Sequence, residues 1–167
     1  MATAGTPLPE GVQRVAAALQ AKAHPHSPIM LDEAARTAQQ AADALGVALG
    51  QIAKSIIFRR REDDAAVLII TSGDRRVDEK KVATLVGKIG RADADFVKQK
   101  TGFSIGGVSP VAHAEKLVTL VDRELFRFTE VWAAAGHPHG VFKLCPDDLV
   151  HLADAPVADV TQTVVAV

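Results

Sequence analysis

The spacing of apolar and polar residues changes several times along the chain, and each change marks an element. From Glu10 to Ala23, Val12, Val15, Leu19 and Ala23 recur every three or four residues. That is one face of a helix, and the alanines between them favour it further. His24-Pro25-His26-Ser27-Pro28 forbids helix and predicts a rigid turn. A second helix is predicted from Asp32 to Leu45, with Ala34, Ala38, Ala41 and Leu45 on one close-packing face and Gly46 as its C-cap. The period then drops to two. Ile52 to Arg59 and Ala66 to Thr71 are rich in β-branched residues and predict two strands, with Arg60 to Asp64 as the charged turn of a hairpin.

Asp78 to Val86 and Asp93 to Lys100 predict short helices, the first with Asp78 as N-cap, closed by Gly87 and Gly102. Leu117–Asp122, Glu130–Ala133, Gly140–Leu144 and Val157–Thr161 read as further strands, and Pro146 opens a helix through Leu152. Helices and strands mix without a steady βαβ rhythm. The pattern predicts an α+β fold with a mixed, mostly antiparallel sheet. Residues 1–8 read as a disordered start and 9–167 as one domain.

Two features carry candidate chemistry. Lys54 shares one face of its strand with Ile56 and Phe58, while Ser55, Ile57 and Arg59 share the other. A lysine placed there either snorkels to solvent or ends in a pocket that takes an anion or a carbonyl oxygen. The second feature is Thr101-Gly102-Phe103-Ser104-Ile105-Gly106-Gly107-Val108-Ser109-Pro110, with three glycines within six residues. Such backbone is either a surface turn or a nest of N–H groups around an anion or oxyanion.

Composition narrows the function classes. The length of 167 residues suffices for a core, and a single cysteine, Cys145, cannot form an internal disulfide. That usage fits a cytoplasmic protein, and no 18-residue apolar run predicts a membrane span. The net charge of −1 hides an asymmetry: 12 Lys and Arg against 8 Asp and Glu between Lys54 and Lys100, and 7 against 12 elsewhere. A basic middle suits local contact with a phosphate-bearing partner, or is a solvated face of mixed charge. His24-Pro25-His26 and His137-Pro138-His139 have H-x-H spacing, but no carboxylate or thiol completes a usual zinc set, so neither metal nor cofactor is expected. Cys145 precedes a helix start that would lower its pKa, although a lone cysteine is more often a small buried hydrophobe. Ser104 and Ser109 have only His113 nearby, too little for a Ser/His/Asp triad.

Taken together, Ile52-Ala53-Lys54-Ser55-Ile56-Ile57-Phe58, Asp78-Glu79-Lys80-Lys81, the Thr101–Pro110 stretch and Ala135-Gly136…Pro146-Asp147-Asp148-Leu149 resemble the YbaK/prolyl-tRNA synthetase-associated editing domain family across roughly residues 30–155. The resemblance implies a mixed sheet partly wrapped around helices. It also implies a freestanding aminoacyl-tRNA deacylase that acts on the acceptor end, with an aminoacyl-tRNA synthetase as a second candidate partner. Lys54 would hold the substrate at its carbonyl or a neighbouring phosphate, and Gly106 and Gly107 would offer backbone groups around the ester and an attacking water. Ile29, Met30, Thr101, Phe103, Val108, Ser109, Pro110 and His137 are the expected substrate-binding residues, with a small aliphatic amino acid on proline tRNA as the expected substrate. Ala134 and Val141 stand where cysteine-specific members carry serine and aspartate, and the asparagine motif of the alanine-specific branch is missing. The resemblance therefore leaves the amino acid open.

Overall fold

The computed structural model describes residues 7–32 and 37–164. In chain order the elements are α1 Glu10–Ala21, β1 Ile29–Met30, α2 Ala38–Leu45, β2 Ile52–Arg60, β3 Ala66–Ser72, α3 Glu79–Val86, β4 Ile89–Arg91, α4 Ala94–Thr101, β5 Val118–Asp122, β6 Val131–Ala134, β7 Gly140–Leu144, α5 Pro146–Ala153 and β8 Val157–Ala158. The eight strands form one sheet of order β1-β7-β6-β2-β3-β5-β8, with β4 also paired to β2. Among these ladders β1–β7, β2–β3, β2–β4 and β6–β7 are antiparallel, while β2–β6, β3–β5 and β5–β8 are parallel. The fold is the mixed α+β arrangement that the pattern predicts, antiparallel by a narrow margin.

Strand β3 is the spine, with all seven of its residues buried. Its alternation feeds two cores. Ala66, Leu68 and Ile70 face the larger cluster with Val15 and Leu19 of α1, Phe96 and Val97 of α4, and Phe142 and Leu149. Val67 and Ile69 face a smaller one under α3, with Val82, Ile89, Leu120 and Val160. Truncating a fully buried residue such as Leu68 to alanine would cost about 2–5 kcal/mol. Asp122, itself buried, ties the end of β5 to the C-terminal segment by accepting from Val160 N at 3.0 Å and the Thr161 hydroxyl at 3.1 Å.

Most predicted boundaries lie within two residues of those observed; Asp78, Gly46 and Gly102 cap the helices they were expected to cap, and Asp93 is in addition the N-cap of α4. The departures have physical causes. α2 begins at Ala38 with Thr37 as N-cap, because Thr37 and Gln40 form a reciprocal capping box. The expected earlier start and Ala34 fall at residues 33–36, outside those described. Val157–Thr161 supplies only a two-residue strand and an isolated bridge from Thr161 to Val77. The expected disorder of 1–8 concerns residues mostly outside those described. No helix among the described residues is long and apolar enough to cross a membrane.

Candidate functional site

The site lies where the sheet splits. One edge of β2 pairs with β3 from Ala53 to Arg59. Its other edge is shared: β6 takes Ile52 and Ala53, and β4 takes Phe58, Arg59 and Arg60. Residues 54–57 are thus left without a strand on that side among the described residues. β6 is four residues long and β4 three, so neither reaches across the gap.

A pocket of about 230 Å³ opens there. Lys54, Ser55 and Ile56 of β2 meet Gly106 and Val108 of the glycine stretch, with Trp132 and Ala134 of β6. Ala38, Ala41, Ala53, Ala133 and Gly140 complete much of the wall, so the space exists largely because these side chains are small. No carboxylate, histidine or cysteine lines it among the described residues. Ala134 and Val141, the two positions where the resemblance would place serine and aspartate in cysteine-specific members, are both on this wall.

Lys54 is half-buried, and its Nζ donates to the Arg75 carbonyl at 3.0 Å. Burial lowers its pKa from the ordinary lysine value; the Arg76 charge lowers it further, and Asp74 opposes them. Asp74 is committed elsewhere. Arg127 grips both its oxygens, at 2.7 and 3.1 Å, and this hydrogen bonding, ahead of the Arg127 and Arg75 charges, holds the carboxyl below the usual range. No carboxylate lies within 4.0 Å of the Lys54 ammonium among the described residues. The ammonium is a poorly compensated charge on a residue of the pocket wall. At the same level of the sheet, Ser55 Oγ of β2 and Thr71 Oγ1 of β3 are buried with no protein hydrogen-bond partner among the described residues.

The glycine stretch leaves α4 at Gly102 and turns tightly, Gly107 N donating to Ser104 O at 3.0 Å. Gly106 takes a φ of +93°, and a Cβ on Gly107 would come within 2.9 Å of the His137 backbone, so a side chain is disfavoured by conformation at Gly106 and by contact at Gly107.

The remaining expected residues divide. Val108 lines the pocket. Phe103 is 2% exposed and belongs to the large core under the loop. Thr101 is buried; its hydroxyl donates to Val97 O at 2.7 Å and accepts from Phe103 N at 3.0 Å, which shapes the turn. The Ser109 hydroxyl accepts from Val111 N at 3.2 Å, and Pro110 is buried beside it. Ile29 and Met30 form β1 on the far edge of β7, opposite Val141 and Gly140, and do not line the pocket. His137 faces a second cavity, and its Nδ1 accepts from His139 N at 3.1 Å. The wall is therefore built from alanines and Trp132 rather than from Ile29, Met30, Phe103 and His137.

The other candidates resolve as structural groups. Cys145 is the N-cap of α5, its Sγ accepting from Asp148 N at 3.4 Å; burial pushes the thiol pKa up, contrary to the lowering a helix start would give. His113 Nε2 donates to the Ser109 carbonyl at 2.6 Å, not to its hydroxyl, and burial lowers its pKa. The rings of His24 and His26 lie 5.7 Å apart, and those of His137 and His139 5.3 Å. Among the described residues no three His, Cys, Asp or Glu side chains converge on a metal position.

Residues 32–152 match the model of the aminoacyl-tRNA editing domain family. The chain belongs to that family. Among curated proteins it is 38% identical over 114 residues to the uncharacterized protein YwhH of Bacillus subtilis (strain 168), covering 68% of this chain and 72% of that one. It is 27% identical over 94 residues to proline–tRNA ligase of Thermoanaerobacter sp. (strain X514), where the match covers 54% of this chain and only 16% of the ligase. Among solved structures, a candidate trans-editing enzyme for prolyl tRNA synthetase superposes with a TM-score of 0.88 at 37% identity, covering 94% of this chain and all of that one.

Proposed function

We propose that this editing domain is a trans-acting hydrolase that removes a small aliphatic amino acid wrongly attached to proline tRNA. The observation that carries the reading is the apolar pocket of about 230 Å³ with Lys54 and Gly106 in its wall. The aminoacyl side chain enters among Ala38, Ala133, Ala134 and Val108, which leaves the ester near Lys54 and the glycine turn. A water oxygen adds to the acyl carbon, negative charge develops on the carbonyl oxygen, and the acyl–oxygen bond to the ribose breaks. The products are a free amino acid and a restored terminal hydroxyl. An ester is already activated, so a placed water and preorganised positive charge suffice without a nucleophilic side chain. The Lys54 ammonium holds the carbonyl oxygen or an adjacent phosphate, the backbone of Gly106 completes the cradle while Gly107 fixes the turn through its bond to Ser104 O, and the neighbouring ribose hydroxyl carries the proton. Proline tRNA is supported by the similarity to a candidate trans-editing enzyme for prolyl tRNA synthetase and to proline–tRNA ligase.

The test is a panel of mischarged tRNAs, each incubated with the protein and followed for ester loss. Alanyl and 2-aminobutyryl esters on proline tRNA should be cleaved fastest, with seryl and threonyl esters slower. No turnover on any member would leave the chain as a non-catalytic module that holds tRNA or a synthetase.

A further inference from the structure

The glycine turn has a second side. Opposite the pocket lies a cavity of about 190 Å³, lined by Arg14, Lys98, Ser104, Gly107 and His137, with Glu10 its one acid among the described residues. Pro138 lines both spaces, and Gly106 and Gly107 contribute one residue to each, so the two sites stand back to back across a thin wall. α1 supplies Arg14 and lies outside residues 32–152 that match the family model.

Arg14 is held before any ligand arrives. Its Nε donates to Ala112 O at 3.1 Å, one terminal nitrogen donates to Thr101 O at 3.1 Å, and the guanidinium lies 4.1 Å from the centre of the Phe103 ring. The other terminal nitrogen has no protein acceptor among the described residues. Neither Arg14 nor Lys98 has a carboxylate within 4.0 Å there, and Lys98 Nζ meets only the Gly102 carbonyl, at 3.2 Å. The carbonyls at the end of α4 position both cations but carry only fractional charge, about half a unit for a whole helix end. A fixed guanidinium with a free donor, an ammonium on a flexible stem and the exposed Ser104 hydroxyl form a set suited to phosphate.

We infer that this cavity is an anion subsite that takes a backbone phosphate of the RNA strand whose terminal aminoacyl-adenosine occupies the pocket. The inference rests on the editing reading for its ligand and on Arg14 and Lys98 for its chemistry. It assigns the two sides of one glycine turn to two parts of one substrate, the ester on one side and the phosphate on the other.

The test measures binding of the trinucleotide CpCpA and of adenosine to the full chain at several salt concentrations. Lys98→Ala and Arg14→Gln should each weaken CpCpA by about five- to tenfold and leave adenosine unchanged. Each lost charge should flatten the slope of log affinity against log salt by about 0.7, and Arg14→Lys should keep the wild-type slope. Thermal melts accompany each variant because Arg14 also caps α4; the exposed Lys98 carries the test alone if Arg14→Gln unfolds. Unchanged CpCpA affinity and slope in folded Lys98→Ala would overturn the subsite, as would an equal loss for adenosine or no CpCpA binding by the wild type. Absence of ester cleavage on every mischarged tRNA, with CpCpA binding still sensitive to Lys98, would remove the catalytic reading and keep the subsite.

Discussion

Replacing Lys54 by methionine keeps most of the stem and removes the ammonium, which separates packing from charge. In the folded state the ammonium makes one protein hydrogen bond, to Arg75 O at 3.0 Å, and its loss costs about 1 kcal/mol. Removing a desolvated cation that repels Arg76 offsets part of that cost. At about 2–4 °C per kcal/mol for a domain of this size, the melting temperature of Lys54→Met should fall by no more than about 4 °C. The effect on catalysis is of another order: one preorganised electrostatic contact is worth about 10²–10³ in rate. Single-turnover cleavage of a mischarged proline tRNA, with melting followed in parallel, reads both.

The pH profile adds a second signature. Lys54 titrates below the ordinary lysine value of 10.5, so wild-type activity should fall as pH rises through that lowered pKa, after subtraction of alkaline ester loss; the variant should lack the step. The linkage runs the other way for stability. Between the folded pKa and 10.5 the unfolded chain binds more protons, so the stability penalty of the buried ammonium is full below the folded pKa and is relieved as pH rises across that window. A folded Lys54→Met with activity within a few fold of wild type would refute the role given to this residue.

Gly107→Ala should lower cleavage by about tenfold or more, with a smaller change in melting, since its Cβ meets the His137 backbone at 2.9 Å and must displace the turn that holds Gly106 in the pocket wall. Ala134→Val should shift selectivity from 2-aminobutyryl toward alanyl ester, by about 10–200-fold if the lost space is not recovered, because one methylene in such a pocket is worth about 1–3 kcal/mol; unchanged ratios would take Ala134 off the wall. His137→Ala should leave the ratios among alanyl, seryl, threonyl and prolyl esters unchanged while weakening tRNA binding, since its ring faces the second cavity. Prolonged chelation should leave activity intact, and loss restored by zinc would revive the two His-Pro-His turns as ligands.

How much of this was legible follows from what carries each signal. β2 and β3 are long, β-branched and adjacent in sequence, so pattern alone fixes their bounds to within a residue. β1 and β4 escape because strands of two and three residues have no period; they exist through ladders to β7 and β2, contacts far away along the chain. The candidate pocket was legible where its lining is unusual, at a lysine on an apolar strand and at Gly106 of the glycine turn. Its walls were not. Ala38, Ala41, Ala53, Ala133 and Ala134 look like any helix or core alanine, and nothing local says that the space beside them is empty. Large residues drew the expectation instead, and Phe103 went to the core for the reason large apolar residues generally do.

The split in the sheet links fold and site. Within β2 the hydrogen-bonding requirement is met on one edge and left open over residues 54–57 on the other. The unsatisfied polar groups collect at that level: Thr71 is the register partner of Lys54, Ser55 is its neighbour, and both hydroxyls are buried without a protein partner among the described residues. Each such group costs about 1–3 kcal/mol. The fully buried β3 alongside offsets this through two cores packed on its opposite faces. A β6 extended by a few residues would close the gap, satisfy the edge of β2 and fill the pocket. On this reading the local frustration around Lys54 and the space for an aminoacyl group are the same feature, and a variant that lengthens β6 should gain stability as it loses cleavage.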